Sequence, residues 1–176
     1  MIFYNDSISQ GTEDERLPLS ALKDESMRAV LAYWESKRGD LEMPPRAAIK
    51  PEEIGGALGR VNLIEVTHEP LRFRFRLIGT HVVQSFGLDV TGLTVDELSP
   101  PDYAELLIRH FSEAVSAREP LLHVMRFLEI RQAHEMHRLS LPLSDDGGHV
   151  DMLMTVSGFG PDLQRFRERQ RAAGEI

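Results

Sequence analysis

Between Leu71 and Gly79 the chain alternates: Phe73, Phe75 and Leu77 fall on one parity, and Arg72, Arg74 and Arg76 on the other. Successive strand side chains point to opposite sides, so this stretch predicts a strand with a buried aromatic face and a wet arginine face. Charges on an exposed strand suit a sheet edge. A β-like run from Val61 to Thr67, joined to it by a turn containing Pro70, makes the pair a hairpin. Elsewhere the period is helical. Met27, Val30, Leu31 and Trp34 form one apolar stripe, which predicts a helix over 20–38, stopped by Gly39 and barred from continuing by Pro44 and Pro45. Pro51 opens a short helix with two glutamates in its first turn. Tyr103, Leu106, Leu107, Phe111, Ala114 and Val115 predict a longer helix over 102–117, with His110 in the same stripe. Short one-turn helices and loops suit 79–101. Three more β-like segments follow at 121–129, 137–143 and 149–157, with a turn at Asp145-Asp146-Gly147-Gly148. Pro161 begins a polar, arginine-rich C-terminal helix. Residues 5–18 show no hydrophobic period.

This order, helix, β-β, short helices, one longer helix, β-β-β, helix, predicts an α+β domain: a five-stranded antiparallel sheet with helices on one face and a small cavity beneath them, plus N-terminal and C-terminal helices. The divisions are a flexible N-terminal arm over 1–19, a helical cap over 20–58, the core over 59–158 and a C-terminal helix or tail over 159–176. Both sheet faces read as apolar. Val150, Met152, Met154 and Val156 oppose Leu153, and Met125 and Phe127 oppose Val124 and Leu128. A large uncovered apolar face marks an interface. The helix over 20–38 is the expected cover, in its own chain or exchanged with a second copy, and association about a two-fold axis predicts a homodimer.

Composition narrows the partners. Lys plus Arg is 20 against 28 for Asp plus Glu, a net charge of −8, which opposes phosphate backbones and anionic lipid. Neither nucleic acid nor membrane is therefore an expected partner, and the alternating arginines read as a solvated face that pairs with acids such as Glu65 or meets a protein. There is no cysteine, so disulfides, thiolate metal sites and cysteine nucleophiles are out. The first residues lack the basic-then-apolar pattern of a signal peptide and no apolar run reaches a membrane-spanning length; the expected location is cytoplasmic.

The β-β-α-α-α-β-β-β order resembles a PAS domain over about 59–158. Tyr33-Trp34, Arg38-Gly39, Pro45-Arg46, Ile49-Lys50-Pro51, the run Arg74 to Thr80, Thr91-Gly92 and Leu141-Pro142-Leu143 resemble the α-proteobacterial PAS-like family formerly catalogued as a domain of unknown function, over about 20–160. The resemblance implies the PAS fold and a small regulatory protein, since the wider class comprises sensors and dimerisation modules that typically lack catalysis. It implies that the second strand of the hairpin is an edge and that the helix over 102–117 borders a cavity. The expected ligand-binding lining is then Phe73, Phe75, Leu77, Val83, Phe86, Leu106, His110, Phe111 and Val124.

His110 carries three readings: a core histidine with its ring nitrogens satisfied by neighbours or pointing sideways to solvent, a hydrogen-bond partner of a small organic ligand, or the proximal haem ligand that haem-binding PAS sensors take from this helix. The cofactor itself stays unknown; flavin photochemistry through a cysteine and a cysteine-linked chromophore are excluded. His134-Glu135-Met136-His137 fails as a metal motif, because a spacing of three puts the rings on opposite sides of a strand. No glycine pair matches a phosphate loop. Ser140, His149 and Asp151 lie in no nucleophile elbow, so no catalytic residue is expected. The function expected is a sensory or regulatory module acting through ligand-modulated protein–protein contact. The alternatives are a constitutive scaffold with a filled cavity, or a small cone-shaped α+β enzyme using His110 as a base.

Overall fold

The computed structural model describes residues 2–3, 12–129 and 132–160; the helix expected from Pro161 and the Phe127, Leu128 and His134 side chains lie outside these descriptions. In chain order the strands and α-helices are β1 (Ile2–Phe3), β2 (Thr12–Leu17), α1 (Glu25–Arg38), α2 (Pro51–Ile54), β3 (Val61–His68), β4 (Leu71–Leu77), α3 (Thr80–Phe86), β5 (Leu98–Ser99), α4 (Pro101–Ala117), β6 (Leu121–Glu129), β7 (Gln132–Leu143) and β8 (Met152–Phe159). Asp24 caps α1 by accepting the Met27 N–H (3.0 Å), and Gly39, at φ 55°, closes it, the backbone region glycine enters without a Cβ penalty.

The main sheet has six strands in the order β2-β6-β7-β8-β3-β4, every pairing antiparallel. Five of them, β4-β3-β8-β7-β6, are the expected sheet. The sixth corrects the expectation of a wholly flexible arm: Thr12–Leu17 pairs along β6, with Asp14 opposite Met125 and Arg16 opposite His123. Its sequence, TEDERL, has no apolar alternation because it sits at an edge, where it meets the core through the Asp14 carboxylate and the half-buried Leu17.

Two cross-strand rows define the faces. Leu122, Leu139, Val156 and Val61 stand side by side across β6, β7, β8 and β3, and α1 packs on this side, burying Met27, Val30 and Trp34. The Trp34 indole N–H donates to the Pro142 carbonyl (2.9 Å), so the cover comes from the same chain. The opposite row runs His123, Arg138, Ser157, beneath α4. Both faces are buried, so β8 is closed to solvent from Leu153 to Gly158. At its start α1 is tied to β8 by Arg60, which donates from Nη2 to Asp24 Oδ2 (2.8 Å) and from Nε to the Ser157 carbonyl (2.7 Å). Burial pushes the Asp24 carboxyl up, but hydrogen bonds from Arg60 and the Met27 N–H outweigh it and hold the group below its ordinary value.

The arginine ribbon forms as predicted up to Phe75. Phe73 and Phe75 are buried and Arg72, Arg74 and Arg76 are exposed, with Arg74 directly across from Glu65. A β-bulge then breaks the alternation: Ile64 faces Phe75 but Leu63 faces Leu77, leaving Arg76 extra. One extra residue reverses parity, and Leu77 is turned out to 41% exposure. The outer edge of β4 is not bare, because the Phe75 N–H donates to the Leu93 carbonyl (2.9 Å) and Phe75 accepts from the Gly92 N–H (2.7 Å). Among the described residues, no helix is long and apolar enough to cross a membrane.

Gly79, where the hairpin enters α3, sits against another backbone segment: a Cβ there would lie 2.3 Å from the Gly59 carbonyl oxygen and 2.8 Å from that of Val61. Gly56 has nothing within 4 Å of its Cβ position. Gly79→Ala is therefore expected to cost about 3 kcal/mol or more, and Gly56→Ala less than about 0.5 kcal/mol, in urea unfolding followed by circular dichroism. Equal costs would contradict this close approach.

Candidate functional site

The cavity beneath α3 and α4 has a volume of about 30 Å³. Its apolar wall includes Phe75, Phe86, Leu107 and Phe111, and its polar wall Asn62, Tyr103, Arg138, Thr155 and Ser157. The polar wall is the sheet face opposite α1. Asn62 Nδ2 donates to Thr155 Oγ1 (3.1 Å) and the Gly79 N–H donates to Asn62 Oδ1 (3.0 Å), so Asn62 joins the β3–β8 pair to the entrance of α3.

Of the expected lining, Phe75, Phe86 and Phe111 face the cavity. Phe73 is one layer behind, its ring edge-on to Phe111 at 5.5 Å between centroids. Leu106 is core, and its neighbour Leu107 takes the lining position. On α3 the inward residue is Val82 rather than Val83. Leu77 is displaced by the bulge. Val124 pairs with His137, one step out of phase with Arg138, and so belongs to the α1 side. The polar residues were absent from the expected lining. Their alternation with Leu139, Leu141, Met154 and Val156 was visible, but polar alternation ordinarily marks a solvated face.

His110 is fully buried and stands immediately behind the cavity wall. Arg138 Nη1 approaches its Nδ1 at 3.4 Å, and Asp14 Oδ2 lies 2.9 Å from its Nε2. Arg138 can only donate, so Nδ1 accepts, and Nε2–H donates to Asp14. Asp14 Oδ1 also accepts from Arg109 Nη2 (2.6 Å). The His110 ring stacks on His123, with centroids 3.9 Å apart and planes at 10°. His123 Nε2 lies 2.9 Å from Glu113 Oε2, and its buried Nδ1 has no partner among the described residues.

Burial holds His110 neutral, helped by the Arg138 charge and by His123 and opposed by Asp14; its pKa falls from 6.5 to about 3. Burial lowers His123 as well, against the pull of Glu113. Burial alone would raise Asp14, but its bonds to His110 and Arg109 keep it below the ordinary carboxylate value. The result is a continuous polar row, Asp14–His110–Arg138, from an edge strand to the cavity wall. Both His110 nitrogens have partners in this row. Among the described residues, no group of three or more His, Asp or Glu side chains is placed to hold a metal ion. A larger open groove of about 480 Å³ lies between residues 16–19 and 119–122, and its charged pair is already joined, Arg16 Nη2 to Glu119 Oε1 at 3.2 Å.

The neutral imidazoles set a pH dependence. Their folded pKa values lie below the unfolded value of 6.5, so the unfolded chain binds more protons as pH falls. The stability they permit is present above about pH 6.5 and is lost as pH drops toward 3. His110→Gln keeps an amide donor toward Asp14 but cannot titrate. Its stability is expected to fall less steeply than wild type below pH 6.5, by up to about 1.4 kcal/mol per pH unit. Parallel curves in urea titrations across that window would contradict a buried neutral His110.

The chain matches no curated protein and no solved structure. A family model described as PAS domain matches residues 22–156, from just before α1 into β8, and so takes in the helix on one face, the cavity on the other and the five-stranded part of the sheet. The chain belongs to the PAS domain family, a class of sensory and regulatory modules that are typically non-enzymatic.

Proposed function

We propose that this PAS domain acts through protein contact, and that occupancy of its cavity governs the hold on strand β2. The observation that carries this reading is the unbroken row from Arg138 at the cavity to Asp14 on β2. A ligand that draws the Arg138 guanidinium toward itself takes away the donor that fixes the His110 tautomer. The ring is then free to turn from Asp14, and β2 loses its inward anchor. Leaving β6, β2 uncovers a row of backbone donors and acceptors, the surface that partner strands add to in β-augmentation. The β2 of a second copy fits the same edge and would give a symmetric, strand-exchanged homodimer.

One observation favours a second reading. A cavity of about 30 Å³ is far below the few hundred Å³ of drug-sized ligand sites, which suits a constitutive scaffold filled by its own side chains. An enzyme with His110 as base has less support: a base must reach its substrate's proton, whereas the only lone pair of this ring faces Arg138.

Backbone hydrogen exchange tests the anchoring of β2 on which this reading depends. Asp14→Asn weakens a charge-assisted bond and leaves the core untouched. We expect exchange in 12–17, and in the β6 amides that pair with it, to speed by about 10-fold or more, with β3 and β8 unchanged. Unaltered exchange in β2, or a uniform rise across the sheet, would overturn the anchoring role.

A further inference from the structure

A guanidinium stays charged at any pH a protein survives, and burying a charge is costly unless an opposite charge or a full set of acceptors meets it. Arg138 is 5% exposed. Its contacts are His110 Nδ1, Met125 Sδ and Tyr103 Oη, each at 3.4 Å, with the Phe111 ring 5.6 Å from its guanidinium carbon. All are uncharged and the polar ones are long. Among the described residues no carboxylate pairs with it, and Asp14 lies on the far side of the His110 ring. The same arginine lines the cavity, together with the Thr155 and Ser157 side chains. Thr155 Oγ1 accepts from Asn62, and a hydroxyl that accepts keeps one hydrogen with which it can donate.

A cationic fork and hydroxyl donors converge on one small space. We infer that the cavity is a binding site for a small carboxylate, of formate or acetate size, held by Arg138 with Thr155 and Ser157. A carboxylate matches the planar fork through two parallel bonds. About 30 Å³ exceeds the roughly 10–15 Å³ needed for one water and excludes aromatic or nucleotide ligands. The inference deepens the sensing role proposed for this cavity and rests on it for its biological meaning, but not for its test.

The test is thermal unfolding of the full chain in sodium formate, with sodium chloride at equal ionic strength as reference. For wild type, formate is expected to raise Tm by about 3–6 °C over chloride at saturation. Arg138→Met should abolish the rise. Ser157→Val, which fills the space and keeps the buried arginine, should abolish it too and guards against a misfolded Arg138 variant. Titration of wild type with ¹³C-formate should broaden the formate resonance saturably, and Ser157→Val should remove that effect. Equal Tm values in formate and chloride, or a formate response that survives Ser157→Val, would overturn the site. Exchange of β2 in Asp14→Asn needs no ligand, so the anchoring role and the carboxylate site fail separately.

Discussion

The structure turns on one buried imidazole that must remain uncharged. His110 has Arg138 on one ring nitrogen, Asp14 on the other and His123 against its face. A proton on Nδ1 would set two cations against each other in a space closed to water, where charge repulsion is least screened. The ring is thus fixed in one tautomer, and that tautomer points its only N–H at an edge strand. Removing Asp14 would leave a buried donor unpaired, at about 1–3 kcal/mol. The carboxylate is partly exposed but does the work of a core residue, and it is what gives the polar segment TEDERL a reason to join the sheet.

The sheet's two buried faces explain the rest of the layout. On one side α1 lays Met27, Val30 and Trp34 against a row of leucines and valines, closing the apolar face within the chain. On the other, the row His123–Arg138–Ser157 is polar yet equally inaccessible. Such a row under a helix needs internal partners, because water cannot supply them. Part of that need is met by His110, Tyr103 and Asn62. The remainder faces the cavity, so its chemistry is that of a polar recess in an otherwise apolar core.

The helices were legible in the sequence because their stripes are long and their stops are chemically distinct: Gly39 after α1, and Tyr103, Leu106, Leu107, Phe111 and Ala114 along α4. The hairpin and the PAS order were legible for the same reason. Three features were not. Strand β2 has no apolar period, since an edge strand held inward by Asp14 and Leu17 needs none. The outward turn of Leu77 follows from a bulge, which strict alternation conceals until the partner strand's register is known. The polar wall was the largest omission. Arg138, Thr155 and Ser157 alternate with apolar residues as a solvated face would, and only the helix laid over them separates recess from surface. His110 was singled out for its place in an apolar stripe. Its partner Asp14 lies 96 residues away in the chain, in a segment whose composition reads as a free arm.

The coupling of cavity to edge strand depends on the protonation of one ring, and ¹⁵N NMR of the histidine side chains reads it directly. His110 is expected to show a protonated Nε2 and an unprotonated Nδ1, unchanged as pH falls from 8 to 5, with the Nε2 signal shifting in Asp14→Asn. A His110 that titrates near pH 6.5, or that carries its neutral-state proton on Nδ1, would contradict the coupling of cavity to edge strand.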